Sequence, residues 1–263
     1  MRKKNNNRSI IGLLIGIIVI LLIVVALFAT NTISFNTKET STNNQTKENT
    51  QESEKENNNN ETIENKKIYS KVLDEYKNAI KDEDNISNYK LINERAMHYY
   101  FSQKGTKDEF NFKYSFFDIN KDGIDELIIN NSIIDIFSYD GNKIIRLFED
   151  NASCLGERCT IDLYDDGTIL FRGSGGASQY YLSFYNINKN TSTRNTINSY
   201  YLKFEERSSE ELPTLTIYDE KTYDFDKDTG TKLNYTSEEE LLSENLKNTQ
   251  KIDLEKLTWE EIK

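Results

Sequence analysis

The chain has 263 residues, of which 44 are acidic and 33 are lysine or arginine, so its formal net charge is −11 at pH 7. The four cationic side chains before residue 10 contribute +4, so the rest of the chain carries −15. An acidic surface of this kind repels phosphate backbones and anionic lipid, which argues against nucleic acid as a partner. It suits solubility, cationic ligands or a divalent metal, and a solvated acidic surface without a particular partner is the favoured interpretation.

Residues 10–29 form an apolar run of 20 residues without a charge, which is the length that a helix needs to cross a bilayer. Basic residues concentrate in residues 1–9, so the positive-inside rule places that segment in the cytoplasm and the rest of the chain outside. A cleaved signal peptide is the alternative, although its apolar region usually has about 7–15 residues. We expect a single-pass cell-membrane protein with an extracytoplasmic C-terminal domain.

Residues 30–62 are mostly Asn, Thr, Glu, Lys, Gln and Ser. Such a segment cannot bury enough apolar surface to offset the entropy lost on ordering, so we predict a disordered tether. Residues 63–263 remain, and their number is comfortable for one domain with its own core.

Apolar residues recur at helical spacing over residues 63–81 and again over 86–101, which predicts two helices. The period changes to two over residues 110–116, where Phe and Tyr alternate with polar residues, and this predicts a half-buried strand.

Strand-like segments separated by turn residues follow as far as residue 219. The predicted turns are Asn130-Asn131, Asp140-Gly141 and Asp165-Asp166-Gly167, which tolerate the positive φ of tight hairpins. Thr236 and Glu239 predict a capping box for a C-terminal helix. The predicted fold is α+β: a mostly antiparallel sheet of hairpins with N-terminal helices and a short C-terminal helix, behind one transmembrane helix.

One loop, between two apolar strand-like segments, carries alternating short oxygen side chains, then a glycine and a glutamate. Calcium prefers six to eight oxygen ligands, and Gly123 permits the sharp turn that aims them at one point. The predicted ligands are Asp118, Asn120, Asp122, the carbonyl group of Ile124, and Glu126. An EF-hand requires an acid at position twelve, where this chain has Ile129. The alternative is an ordinary hairpin turn, which also favours Asp and Gly.

The spacing D-x-N-x-D-G-x-D-E-L resembles the calcium loops of FG-GAP (VCBS-type) repeats, whose ligands lie at positions 1, 3, 5, 7 and 9 between strands. The resemblance implies the same five ligands. Because the chain has one clear copy, it implies the loop and not the propeller that several repeats build. The segments FFDINKDGIDELII, IDIFSYDGNKIIRLF and LYDDGTILFRGSGGASQYYLSFYNI together resemble a group of uncharacterised bacterial membrane-anchored and lipoprotein-like surface proteins. This implies an extracytoplasmic domain and brings no known activity.

A second acidic run, Asp224, Asp226 and Asp228, alternates in the same way. Here Thr229 replaces the glycine and Lys232 occupies position nine, where a cation would repel calcium, so a hairpin turn is the favoured interpretation. Cys154 and Cys159 are the two cysteines, and outside the membrane neighbouring cysteines tend to pair, which predicts a disulfide. The glycines of residues 173–176 predict either a bulge or a loop that passes close to another backbone. His98, the single histidine, is interpreted as a partly exposed surface residue.

The leading hypothesis is a membrane-tethered, non-enzymatic domain that binds calcium structurally and presents an acidic, tyrosine-rich face to an unknown extracytoplasmic protein or wall ligand. The alternative is an extracytoplasmic hydrolase that acts on cell-wall material through a pair of carboxylates about 5–9 Å apart. A sensor or regulator of envelope assembly is a third possibility that the sequence does not separate from the first.

Overall fold

The computed structural model describes residues 62–106, 111–151, 154–205 and 214–263. The predicted transmembrane helix at residues 10–29 lies outside these ranges, as does the predicted tether at 30–62 apart from its last residue. No helix within the described ranges is long and apolar enough to cross a bilayer.

The described residues belong to one compact unit, Ser53–Lys263, and their fold is α+β. The helices are a segment over residues 62–68, α1 (Ser70–Ala79), α2 (Glu94–Gln103) and α3 (Glu238–Asn245). Short 3-10 helices lie at Glu83–Asn88, Glu149–Asn151, Glu220–Thr222 and Leu254–Lys256.

The strands form two antiparallel sheets of five strands each, rather than the single sheet that the sequence predicts. The first contains β1 (Lys113–Phe117), β2 (Glu126–Ile129), β3 (Asp135–Tyr139), β4 (Ile144–Arg146) and the C-terminal β10 (Glu260–Glu261). The second contains β5 (Cys159–Leu163), β6 (Ile169–Gly176), β7 (Gln179–Ile187), β8 (Arg194–Glu205) and β9 (Thr214–Asp219). In the first sheet β10 returns to pair with β1, so the order is β10-β1-β2-β3-β4; in the second, the strands follow chain order.

The N-terminal helices cover one face of the first sheet. The buried side chains of the first helical region are Tyr69, Val72, Tyr76 and Ala79, all 0 % exposed. They pack with Tyr114, Leu127, Ile129 and Phe137 of the sheet. The predicted apolar stripe is confirmed, although its centre lies on these residues and Ile68 and Ile80 at its ends are only partly buried.

The second face of the first sheet packs against the second sheet. Ile128 and Ile136 share one buried cluster with Ile161, Leu163 and Phe171 of the second sheet. All four residues of β2 are therefore buried. The far face of the second sheet packs with Leu241 of α3 through Leu170, Leu182 and Leu202. The layers run from N-terminal helices to first sheet, second sheet and C-terminal helix.

The prediction of one continuous helix over residues 86–101 is wrong. The chain forms the 3-10 helix Glu83–Asn88, leaves helical geometry, and re-enters it at α2. Asn93 is the N-cap of α2. Its backbone is extended, and its side-chain oxygen accepts from the Ala96 N–H at 3.0 Å. Its amide nitrogen also donates to the Ile134 carbonyl at 2.9 Å, so a tertiary contact interrupts the helical pattern.

Two further local predictions need correction. The N-cap of α3 is Ser237, whose hydroxyl accepts from the Glu240 N–H at 3.1 Å, rather than Thr236 with Glu239. The Asn130-Asn131 turn is longer than a two-residue hairpin loop, since Asn130 alone takes positive φ among the two and the Ile134 N–H donates to the Ile129 carbonyl.

Asp135 and Arg146 form a buried ion pair between β3 and β4. The guanidinium donates from Nε at 2.9 Å and from Nη2 at 2.6 Å, one bond to each carboxylate oxygen. The Tyr76 hydroxyl donates to the same carboxylate at 3.0 Å, and its oxygen accepts the Asn93 N–H at 3.0 Å. Burial raises the pKa of Asp135, and the guanidinium opposes that shift. The network fastens α1 and the start of α2 to the first sheet.

The β5–β6 turn packs tightly against the β1–β2 loop. Gly167 has a φ of +87°, and a Cβ there would lie 3.0 Å from the Ile119 carbonyl oxygen. Gly141, in the β3–β4 turn, has the same φ but nothing within 4 Å of the same position. The two glycines therefore have the same positive φ, but only Gly167 lies close to the backbone of another loop.

We expect Gly167→Ala to lower the melting temperature more than Gly141→Ala. Both variants incur about 1–2 kcal/mol for positive φ, and Gly167→Ala adds an overpacking cost of about 1–3 kcal/mol because the neighbour is backbone. Thermal melting of the two purified full-length variants beside the parent chain measures the difference. Equal losses in the two variants would contradict the close approach of the two turns.

Candidate functional site

The loop predicted to bind calcium connects β1 to β2. Phe117 and Glu126 are paired across the hairpin and close it, so residues 118–125 form the connection. Ile119 is 1 % exposed and packs into the cluster between the sheets, which anchors the loop at its start. The loop thus lies where the first sheet approaches the second.

The loop is organised by its own carboxylates and amide. The Asp118 carboxylate accepts from the N–H groups of Asp122 at 3.1 Å and Gly123 at 2.9 Å. The Asn120 side chain accepts from the Asp122 N–H and donates to the Asp122 carboxylate, both at 2.9 Å. Asp122 in turn accepts from the Ile124 N–H at 2.9 Å. Four of the five predicted ligand residues therefore contact one another through this network.

The fifth predicted ligand, Glu126, is 1 % exposed. Its carboxylate accepts from the Ile119 N–H at 2.9 Å and from the Ser138 hydroxyl at 2.9 Å. Burial raises the pKa of Glu126 to about 8, the two hydrogen bonds lower it, and the charges of Asp122 and Asp118 raise it. The three acids thus lie within electrostatic range of one another.

No lysine, arginine or histidine in the described part of the chain forms an ion pair with Glu126. A buried carboxylate without a cation is costly unless it is protonated. Glu126 is therefore a group whose burial is incompletely compensated by the side chains around it.

The acids of the loop do not converge fully. Within the described ranges, no three His, Cys, Asp or Glu side chains form a group ready to hold a metal ion. The oxygen types, the charge and the shared loop fit calcium, but the carboxylates of Asp118 and Asp122 are directed to backbone N–H groups. Ile124, predicted to contribute its carbonyl, is half-buried on the same loop.

The second acidic run forms a turn closed by the bridge between Asp224 and Thr229. Asp224 pairs with Lys227 at 2.6 Å, and Asp228 contacts Lys203 and the Tyr223 hydroxyl. Lysines thus compensate these acids, in contrast to those of the β1–β2 loop, which agrees with the interpretation as a turn.

The other predicted residues lie away from this loop or have structural contacts. The Sγ atoms of Cys154 and Cys159 are bonded as a disulfide, with their Cα atoms 5.2 Å apart. The glycine segment contains the predicted bulge, because the β6–β7 register shifts between Ser174 and Gly176. His98 is exposed, with its ring nitrogen 3.8 Å from Glu94.

Sequence reasoning missed two features of the site. Ser138 is twelve residues from Glu126, and only the pairing of β2 with β3 brings its hydroxyl to the carboxylate. A pocket of about 420 Å³ beside the loop, lined by Asn120 and by residues of the β5–β6 and β7–β8 turns, was also missed. The run NINKNTSTRN at residues 186–195 was the available signal, since it concentrates side-chain amides in a short segment.

Comparisons of the chain with protein-family models, with curated proteins and with solved structures found no match.

In chelator, the free energy of unfolding should fall as pH rises from about 5 to 8. The substitution Glu126→Gln should remove the part of this fall that the Glu126 carboxylate causes. The folded-state pKa of Glu126, about 8, exceeds its ordinary value of 4.5. Its contribution to the free energy of unfolding is therefore fully present below pH 4.5 and lost as pH rises through 8, and it is on the order of a few kcal/mol.

The measurement is thermal melting of the full-length parent chain and the Gln variant across this pH range, both in chelator. The Gln side chain keeps an acceptor for the Ile119 N–H but does not titrate. The difference between the two melting temperatures isolates Glu126 from other titrating groups. Parallel pH profiles would show that this carboxylate keeps an ordinary pKa.

Proposed function

We propose that this chain is a membrane-tethered extracytoplasmic protein whose folded domain binds calcium at the β1–β2 loop as a structural ion. The single observation that carries the proposal is the buried carboxylate of Glu126, which has acids as its charged neighbours on the loop and no cationic partner among the described residues. A divalent cation would supply the missing positive charge.

The ligands of the proposed site are Asp118, Asn120, Asp122, the carbonyl group of Ile124, and Glu126. Three carboxylates and two neutral oxygens make a hard, anionic set, which calcium prefers over softer metals. Magnesium requires near-ideal octahedral geometry and gives up its water reluctantly, whereas calcium accepts irregular sets of protein oxygens, so this ligand set favours calcium.

Calcium binding would replace the repulsion among the three carboxylates with attraction to one cation. Without a cation, Asp118 and Asp122 raise the cost of ionising Glu126. With a cation, all three carboxylates are ionised and attracted to one charge, and Ile119 keeps its N–H bond to Glu126. Because Glu126 belongs to a strand and Ile119 to the core between the sheets, the ion would stabilise the hairpin and not only its tip.

The remainder of the proposal concerns location and partner. The uncharged run at residues 10–29 with basic residues before it supports a single membrane anchor, and residues 30–62 support a tether. The acidic composition supports a role in binding an extracytoplasmic protein or wall ligand. The tyrosines add little to such a surface, because nine of the 16 are buried.

Calcium should raise the melting temperature of the full-length chain relative to chelator, because a ligand that binds the folded state alone stabilises it by mass action. Extracellular calcium modules bind at roughly 10⁻⁴–10⁻³ M, so about 5 mM calcium should produce a shift and equal magnesium a much smaller one. Asp122→Ala should abolish the shift, since it removes a central ligand.

The matched control is Asp226→Ala, which removes an exposed acid from the second acidic turn. It reduces the net charge by the same amount and should keep the full calcium shift. A melting curve that does not change between chelator and about 5 mM calcium would refute the metal site. A shift that both variants lose equally would indicate general charge screening.

Protease added to intact cells should release a fragment that begins within residues 30–62, because the tether is predicted to be accessible outside the membrane. Mass spectrometry of the released fragment gives its first residue, and cells lysed before digestion provide the control. Protection of the whole chain in intact cells would contradict the proposed orientation, and a mature chain that begins near residue 30 would replace the anchor by a cleaved signal peptide.

A further inference from the structure

The pocket beside the β1–β2 loop has an unusual lining. Five of its nine lining residues are asparagines: Asn120, Asn186, Asn188, Asn190 and Asn195. Its volume of about 420 Å³ lies within the range of small-molecule sites. A pocket with five asparagines in its lining offers many side-chain hydrogen-bonding groups.

Two of the asparagines face each other across adjacent strands of the second sheet. Asn186 and Asn195 lie directly opposite each other on β7 and β8, so their side chains leave the same face of the sheet as neighbours. Asn186, Asn190 and Asn195 are exposed, and their side-chain amides form no hydrogen bond with the described residues, so they are open to solvent and to a ligand. Asn188 uses its oxygen to accept from the N–H groups of Asn190 and Thr191, which fixes the turn and leaves its NH₂ group as a donor.

The walls of the pocket are held in place by contacts between separate turns. The Lys189 ammonium donates to the Lys121 carbonyl at 3.0 Å, which joins the β7–β8 turn to the β1–β2 loop. The Ser192 hydroxyl donates to the Tyr139 carbonyl at 3.0 Å, which joins the same turn to the end of β3. Gly167 contributes the close approach to Ile119 described above.

The pocket is also nearly neutral in a chain that carries −15 beyond its apolar run. Its charged lining residues are Asp166 and Lys189, one of each sign, and Lys189 is engaged with a carbonyl group. The single lysine and the single aspartate offset each other, so the lining offers no net charge to an anionic or a cationic ligand. Ile187 is the one large apolar side chain among the nine lining residues, and none of the nine is aromatic.

We propose that this pocket binds a neutral, hydroxyl-rich ligand, namely a short segment of an uncharged sugar chain. Each side-chain amide carries one acceptor and two donors, and each sugar hydroxyl both donates and accepts. The facing Asn186 and Asn195 amides therefore match a pair of adjacent hydroxyl groups, and the open pocket admits one part of an extended chain.

This inference deepens the proposed function and rests on it in one respect, since Asn120 is both a pocket wall and a proposed calcium ligand. Calcium that holds the β1–β2 loop would fix this wall before the sugar arrives, and preorganisation of that kind raises affinity without new contacts. The Asn186 and Asn195 pair does not depend on the ion.

The test uses the full-length chain in a detergent that has no sugar headgroup, with about 5 mM calcium, followed by isothermal titration calorimetry. The probes are the trisaccharide of N-acetylglucosamine, cellotriose, and the trisaccharide of galacturonic acid as an anionic counterpart. At least one neutral trisaccharide should bind, and the anionic one should bind at least about tenfold more weakly.

The double variant Asn186→Ala with Asn195→Ala should lose about tenfold or more in affinity for the neutral sugar. The matched control is Asn142→Ala, an exposed asparagine in the β3–β4 turn outside the pocket, which should bind as the parent does. Both variants are checked by thermal melting, so a loss of affinity in a variant that melts like the parent supports the pocket.

Three results would overturn the inference: no heat from either neutral trisaccharide, equal or tighter binding of the anionic one, or unchanged affinity in the Asn186/Asn195 variant. Failure of the calcium site is seen separately. A chain that shifts its melting temperature with calcium but binds no sugar overturns the pocket alone. A chain that shows no calcium shift but loses sugar affinity in the double variant supports the pocket and refutes the calcium site.

Discussion

The buried carboxylate of Glu126 is the constraint on which the β1–β2 end of the first sheet depends. A carboxylate at 1 % exposure must be hydrogen-bonded, neutralised by a cation or protonated. Here the Ile119 N–H and the Ser138 hydroxyl supply two bonds, and these fix the loop to the first sheet at two points. The proposed affinity of the loop for calcium follows from the need to compensate this one group.

Two turns of the second sheet contact the β1–β2 loop of the first. The β5–β6 turn approaches it through Gly167, and the β7–β8 turn reaches it through Lys189. A change in the loop therefore has a direct route to both turns of the second sheet and to the asparagine-lined pocket between them. The loop that would hold the proposed ion therefore directly contacts the turns that line the proposed sugar site.

On the opposite side of the first sheet, a buried ion pair fastens the N-terminal helices. There the buried pair of Asp135 and Arg146, with Tyr76 above it, holds the helical layer to β3 and β4. Each partner compensates the other, so loss of either would leave an uncompensated buried charge. Glu126 lacks such a partner within the described residues, although both acids lie in the same sheet and are equally buried. Asp135 is thus compensated by a side chain of the fold itself, whereas Glu126 is open to compensation by an external cation.

The sequence by itself determined the local features of this protein. Helical spacing indicated α1, and turn residues and apolar segments indicated the Asp-Gly turn at Asp140 and the strand over Thr214–Asp219. The alternation of oxygen-bearing side chains from Asp118 to Asp122 was equally visible, because neighbouring residues set each of these features. Only the tertiary structure decided that the hairpins form two sheets, that Asn93 interrupts a helical pattern, and that Ser138 and the Asn186/Asn195 pair face the loop and the pocket. Such features depend on which distant segments pair, and strand pairing is decided by the burial of whole faces, which spacing along one segment does not encode.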